Sequence, residues 1–295
     1  MAITIVPQAP SPEPPADDWR VWARRFLRNR SSVWGAVIVL VFLLVAVIGQ
    51  IMPYDPTSQN LEERLLSPRM THVLGTDDLG RDIGLRIVAG AWISLQVGLI
   101  SVGIALVLGT ALGTLAGYAG KWADEAIMRG VDLMMAFPGI LLAILIVAVM
   151  GPSLTNAMIA IGLVNVPVYA RLVRASVLGV TSQEFVEAAH ASGASHGAII
   201  FRHVLPNCLT PLMVQATLGI ATAILETAGL SFLGLGAQPP TPEWGTMLNS
   251  ARAFIRSAPW IVTFPGLAIM MVVLGFNLLG DGLRDLLDPK TKRQV

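Results

Sequence analysis

A single cysteine, Cys208, is all the thiol chemistry this chain of 295 residues has, so an intrachain disulfide framework and any cysteine-built metal cluster are excluded. Charge is scarce as well. Charged side chains make up 13% of the residues, about half the share of a soluble domain. Lysine plus arginine (20) nearly balance aspartate plus glutamate (19), so no basic surplus points to nucleic acid. No G-x-x-x-x-G-K-[ST] stretch is present, so the chain lacks a P-loop of its own for ATP. What it has in abundance is apolar sequence: 54% hydrophobic residues and a mean hydropathy of +0.66. The expected class is an all-α polytopic membrane protein embedded in a lipid bilayer.

The first residues, through Trp19, are proline-rich and without apolar periodicity, and read as a disordered tail rather than a cleaved leader. A spanning helix needs about 20 apolar residues, and six stretches qualify. They are Ser32 to Met52, Trp92 to Gly117, Ile127 to Met150, Leu154 to Val177, Leu209 to Leu235 and Trp260 to Leu279. Asp132 and Pro138 blur the start of the third, and Asn165 with Pro167 predicts a kink in the fourth. The division that follows is a basic N-terminal segment 1–31, a first span 32–52, an external loop 53–90, a core 91–281 and a tail 282–295. Gly109, Gly113 and Gly117 have small-xxx-small spacing, suited to close helix packing, and Trp92, Trp122 and Trp260 stand at span ends.

Orientation follows from arginine and lysine in the short loops. Arg20, Arg24, Arg25, Arg28 and Arg30 precede span one. Lys121 and Arg129 follow span two, Arg171, Arg174 and Arg202 lie around the loop after span four, and Arg284, Lys290, Lys292 and Arg293 follow span six. All four segments are therefore expected in the cytoplasm, together with both termini.

The loop after span four, Thr181 to Asn207, is a polar island with helical character. Thr181 and Glu184 have capping-box spacing, which predicts a helix from about Ser182. Phe185, Ala188, Ala189 and Ser192 would share one of its faces, and Gly193 would end it. Ser195 can cap a second short helix that Pro206 is expected to stop. Such an island either docks a partner or lies on the membrane surface, and the scarcity of cations on its first helix weighs against the surface.

Three patterns invite other chemistry. Gly193-Ala194-Ser195-His196-Gly197 matches G-x-S-x-G, but a nucleophile elbow needs a preceding strand and triad partners. His190, His196 and His203 lack H-E-x-x-H spacing, so a metal role is not expected. Glu226 is the main acid inside a span, and an intramembrane acid is a functional candidate by default. It either lines a path, where it could meet a peptide's amino terminus, or holds a neighbouring subunit. Asn165 and Gln215 are weaker path candidates. Asp132 is expected to pair with Arg129 or another base. Outside, Asp77, Asp78, Arg81 and Asp82 follow a predicted turn at Gly75 to Gly80 and precede an amphipathic helix. They either pair with one another or receive a docked protein. Pro239, Pro240 and Pro242 stiffen the last external loop.

Glu187-Ala188-Ala189, then Gly193, then Leu205-Pro206 resembles the EAA loop of ABC importer permeases. His72 to Asp77 with Gly80-Arg81-Asp82, Arg202 to Asn207, Leu230 to Gly236, Trp244-Gly245 and Asn277 to Asp285 resemble the dipeptide/oligopeptide/nickel branch, closest to the C-type permease of its pair. The resemblance runs from about Arg24 to Pro289. It implies a type I importer transmembrane fold in a bacterial cytoplasmic membrane and no enzymatic activity in this chain. It implies that Phe185, Glu187, Ala188, Ala189, Gly193, Leu205 and Pro206 engage the ATPase. The implied partners are a homologous second permease, two ATPase subunits or one fused ATPase that bind ATP and Mg, an extracytoplasmic substrate-binding protein and a peptide substrate. A nickel chelate, glutathione or haem is the alternative cargo. A self-contained secondary transporter is disfavoured by the absence of a clear repeat and the few buried charges.

Overall fold

The computed structural model describes residues 26–287. The proline-rich tail, three of the N-terminal arginines and the last lysines lie outside the described residues. Among the described residues, ten α-helices carry the architecture. They are α1 (Arg30–Ile51), α2 (Ile83–Tyr118), α3 (Lys121–Met135), α4 (Gly139–Met150), α5 (Leu154–Thr181), α6 (Glu184–Ala191), α7 (His196–Ile199), α8 (Leu205–Phe232), α9 (Trp244–Ala251) and α10 (Trp260–Leu287). Among the described residues there is no β-strand, only two isolated bridges, Arg69 with His72 and Thr76 with Asp82.

Among the described residues, five stretches are long and apolar enough to cross a membrane: α1, α2, α5, the continuous run His196–Phe232, and α10. The expected third span is not one straight helix. It is the pair α3 and α4, bent by 90° between Met135 and Gly139. Pro138 is the physical reason. It stands at the N-cap of α4 with φ −56° and ψ 127°, and the residue before a proline is turned away from helical geometry. Asp132, the charged residue that blurred this span, belongs to α3, which is amphipathic, whereas α4 is almost wholly apolar.

Other boundaries move too. Span two begins at Ile83 rather than Trp92, because Asp82 caps the helix by accepting from the Leu85 N–H at 2.9 Å. At about 1.5 Å per residue its 36 residues are roughly 54 Å long, well beyond a bilayer core of about 30 Å. The boundary placed at residue 90 therefore falls inside a helix. So does the one at 281, since α10 continues to Leu287. Span four extends to Thr181 with Pro167 inside it.

Two cores hold the bundle. One forms around α5, with α2, α4, α8 and the island, and contains Tyr169, Val173, Val177, Val186 and Val204. Gly109 and Gly113 face α5 here: a Cβ at Gly113 would stand 2.5 Å from the Ala170 carbonyl oxygen. The spacing thus serves packing within the chain, because only a hydrogen lets the two backbones approach so closely. The other core joins α1, α9 and α10 through Phe42, Trp244 and Phe276. The Phe42 ring meets Phe276 and Trp244 edge-on at 6.1 and 6.3 Å. Outside these cores α1 and α4 expose broad apolar faces, including Leu40, Leu44, Ile48, Leu141, Leu145 and Val149. That is expected of helices whose solvent is lipid or another membrane subunit.

The bundle has two distinct ends. At one, Ile83, Phe232 and Trp260 meet the 53–82 segment and α9. At the other, Tyr118, Thr181 and the island lie together, and Asn29 Nδ2 donates to Asp285 Oδ2 at 3.1 Å. Both described ends of the chain and the polar island therefore share one side.

Candidate functional site

The island is two helical pieces joined by a glycine turn, but its start differs from the capping-box expectation. Thr181 closes α5, with its hydroxyl donating to the Val177 carbonyl at 2.9 Å. Gln183 is the N-cap of α6 and makes no side-chain cap bond. A threonine whose hydroxyl bonds back to its own helix cannot cap the next one.

The end of α6 is as expected. Gly193 has φ +80°. Its N–H donates to the His190 carbonyl, and the Ala194 N–H reaches the Ala189 carbonyl at 3.1 Å. This is a Schellman closure. Ser195 caps α7 by accepting from the Ala198 N–H at 3.4 Å. Its hydroxyl is thus spent on structure, with helices on both sides of the G-x-S-x-G pattern.

Pro206 does not stop the second helix. The chain passes from α7 through a π-helical turn, Ile200–Val204, directly into α8, where Pro206 lies in the first turn. A proline lacks an N–H and its ring crowds the carbonyl four residues back. The wider π turn places that crowding outside regular α geometry, and the lost donor falls where a helix start leaves donors unpaired anyway.

The face of α6 is divided sharply. Val186 is buried to 1% exposure and anchors the helix to the bundle. Phe185, Glu187 and Ala188 point outward, and Ala189 is half-buried. Phe185 keeps 40% of its surface exposed, with its ring centroid 6.4 Å from that of His203. Sequence reasoning missed Val186. The lone β-branched residue in the first turn of α6 was the available signal.

The histidines do not converge on one point. His190 and His196 meet edge-on with ring centroids 5.5 Å apart, and His196 Nδ1 lies 2.9 Å from the Tyr118 hydroxyl. His203 packs on Phe185 instead. The Tyr118 contact ties the island to the end of α2. Two ion pairs tie α3 to α5 on the same side. Arg174 makes a double contact with Asp124, and Arg171 Nη2 lies 2.5 Å from Asp132 Oδ1. The partner of Asp132 is therefore Arg171 rather than Arg129.

The three intramembrane polar candidates come together. Asn165 Nδ2 donates to Glu226 Oε2 at 3.2 Å, joining α5 to α8. Asn165 and Gln215 both line a cavity of about 210 Å³, with Ser101, Tyr169, Gly219 and Thr222 on its walls. Gln215 also lines a larger cavity of about 660 Å³ at the island end, beside Asn207, Thr210 and Arg284.

At the opposite end the four charged candidates are spent mainly on one another and on the fold. Arg81 Nε donates to Asp77 Oδ2 at 2.6 Å, and Asp77 Oδ1 accepts from the Leu79 and Arg81 N–H groups. Asp78 lies 3.9 Å from Arg81. Asp82, besides capping α2, lies 2.8 Å from His72 Nδ1. Trp260 is more than an interfacial aromatic, since its indole N–H donates to the Thr76 carbonyl at 3.3 Å. Trp244 similarly ties α9 to the Ile87 carbonyl at 3.1 Å.

Known proteins share this arrangement. The fold is that of type I ABC importer transmembrane domains. It matches an inward-facing MetNI methionine ABC transporter with a TM-score of 0.57 at 20% identity, over 69% of this chain and 97% of that one. By sequence, the chain is 53% identical to the dipeptide transport system permease protein DppC of Alkalihalophilus pseudofirmus, over 98% of this chain and 97% of that protein. It is 46% identical to the di/tripeptide transport system permease protein DppC of Pseudomonas aeruginosa, over 95% and 94%. It is 48% identical to the glutathione transport system permease protein GsiD of Pectobacterium atrosepticum, over 93% and 92%. Residues 18–68 match the N-terminal transmembrane domain of oligopeptide transport permease C. Residues 109–293 match the binding-protein-dependent transport system inner membrane component, and the chain belongs to that family, on its oligopeptide permease C branch.

Proposed function

We propose that this chain is one permease half of an ATP-driven importer for di- or oligopeptides. Its partners would be a homologous permease, ATPase subunits on the island side and a substrate-binding protein on the other. The observation that carries the reading is the near full-length identity to a dipeptide permease. The island geometry supports it: Val186 pins α6 to the bundle and the Tyr118 contact with His196 pins α7, yet α6 offers Phe185, Glu187 and Ala188 outward. Phe185 would fill a pocket on the ATPase while the small alanine lets that surface approach the backbone. Glu187, Ala189, Gly193, Leu205 and Pro206 would shape this element, and the ion pairs from α5 to α3 would move the bent span with it. ATP and Mg would be bound by the partner, consistent with the missing P-loop.

This assigns the island, the N-terminus and the C-terminus to the cytoplasm. The cavities beside Asn165, Gln215 and Glu226 would be part of the path. At the outer face, Asp77, Asp78, Arg81 and Asp82 would act chiefly by holding the docking surface in shape. Glutathione is the second cargo reading, favoured by the similarity to a glutathione permease. Both cargoes are short peptides.

The test is reconstitution of the purified complex in vesicles with its binding protein. Alanyl-alanine uptake that needs ATP, the ATPase and the binding protein is the expected result. Uptake by this chain alone, driven by an ion gradient, would overturn it.

A further inference from the structure

Glu226 is placed where a carboxylate is hard to justify by packing. It sits on a membrane-crossing helix, half-buried, between buried Ile224 and Thr227. Its recorded partner is the Asn165 amide. Among the described residues no lysine, arginine or histidine lies within ion-pair distance of it. An ionised carboxylate has about four acceptor sites, and one neutral donor leaves most of them unused. The same Asn165 nitrogen also donates to the Ile161 carbonyl at 2.9 Å, so the amide is not dedicated to the acid. If Glu226 served only to join α5 and α8, a glutamine would do so without the cost of a charge.

The surroundings supply room for a counter-ion. The 210 Å³ cavity lies next to Asn165, and Thr222, one turn before Glu226 on α8, lines it. At about 30 Å³ per water it accommodates several waters, or a small organic cation. Gly219 keeps it open on one side, because a side chain there would strike the Tyr169 hydroxyl. Gln215 then connects it to the 660 Å³ cavity at the island end. The polar groups that line the smaller cavity are hydroxyls and amides, without a second acid or a histidine to complete a metal site.

We infer that Glu226, with Asn165, is a binding station for the primary ammonium group of the transported solute. An ammonium has three donors, which the Glu226 carboxylate and neighbouring amide oxygens can accept. The inference rests on the import reading above and deepens it: the permease itself, and not only its binding protein, would read the solute's positive end. Gln215 and the inner cavity would receive the solute next.

The experiment is alanyl-alanine uptake by the reconstituted complex carrying E226Q, E226D or the relocated acid E226Q/N165E, each scored per assembled complex. Uptake is expected to fall at least tenfold in E226Q. It should recover at least severalfold above E226Q in both variants that retain a carboxylate. E226Q at wild-type rate overturns the inference, and so does a low rate in all three variants, which would mean that Glu226 only packs. If the wild type takes up no alanyl-alanine while a different solute is transported, the peptide reading itself fails, which is distinguishable because it does not depend on the variants.

Discussion

Asp77 and Arg81 form a nearly solvent-free ion pair, with Oδ2 to Nε at 2.6 Å and side-chain exposures of 13% and 6%. Arg86, more deeply buried still, places its Nε 3.7 Å from the same carboxylate oxygen and donates to the Pro56 carbonyl at 3.2 Å. One acid thus serves two guanidinium groups at the root of α2. That shared dependence makes the 53–82 segment sensitive to the acid more than to either base.

The expected outcome is asymmetric. D77N removes the ion-pair partner of buried Arg86 and leaves Arg81 only its longer contact with Asp78, and stranding a buried charge costs about 3–5 kcal/mol. R81M leaves Asp77 to Arg86 and should cost clearly less. Thermal unfolding of the purified complex, with protease sensitivity of the 53–82 segment as a second readout, measures the difference. R81M as damaging as D77N would contradict the shared-acid arrangement.

Glycines on α2 offer an internal control for packing. At Gly113 a Cβ would meet the Ala170 oxygen at 2.5 Å and the Val173 Cβ at 2.7 Å, whereas at Gly103 nothing lies within 4 Å. Replacing Gly113 by valine should drive α2 and α5 apart, at a cost of about 1–3 kcal/mol for overpacking, and lower the yield of folded protein. G103A should be neutral or slightly stabilising through helix propensity, by less than about 1 kcal/mol. Yield and melting temperature in matched preparations decide it.

Much of this architecture is legible in sequence because membrane spans announce themselves by composition. Even so, the signal marks apolar windows, not helix ends. Ile83 to Ala91 carries two charges' worth of ambiguity with Arg86 and the Asp82 cap, so a hydropathy window starts the span nine residues late. Pro138 and Pro206 look alike as helix breakers, but only Pro138 breaks one. Whether a π turn absorbs a proline depends on packing around Ile199 and Val204, which are fully buried, and this is tertiary information. The same holds for the paths between charges: Asp132 has Arg129 as its sequence neighbour, but the packing of α3 against α5 brings it to Arg171. Thr181 shows the limit of local motifs, since a capping-box spacing is satisfied on paper while its hydroxyl is already committed to α5. The association of Glu226 with Asn165, 61 positions apart, has no local signal at all.

Glu243 should make the α9 end of the bundle pH-dependent. It caps α9, accepting from the Gly245 and Thr246 N–H groups at 2.9 and 2.8 Å. Burial pushes its carboxyl above the ordinary glutamate value, against the opposing effect of the hydrogen bonds from Gly245, Thr246 and Ser231. A carboxyl raised in the folded state binds its proton more tightly there than in the unfolded chain. Its contribution is complete below the unfolded value of about 4.3 and declines as pH rises through the raised folded value. Melting temperature followed across this range should therefore show a component that falls with rising pH and is absent in E243Q. An unchanged profile in E243Q would assign the pH dependence to other groups.

Gly193 separates the fold from the proposed coupling role of the island. Its φ of +80° costs a residue with a Cβ about 1–2 kcal/mol, while a Cβ there would meet nothing within 4 Å in this chain. Substitutions should therefore leave membrane insertion intact and act on the closure of α6. Asparagine, which tolerates the left-handed region, should retain most uptake. Alanine should lose part of it, and valine more. G193E adds a long charged side chain on the open side of the turn, where the ATPase is proposed to dock, and should abolish uptake while the permease remains in the membrane at normal abundance. Uptake and membrane abundance measured together for the four variants test this order. Normal uptake in G193E would remove the island from the coupling role, because an acid placed against a tightly packed subunit surface could not go unnoticed.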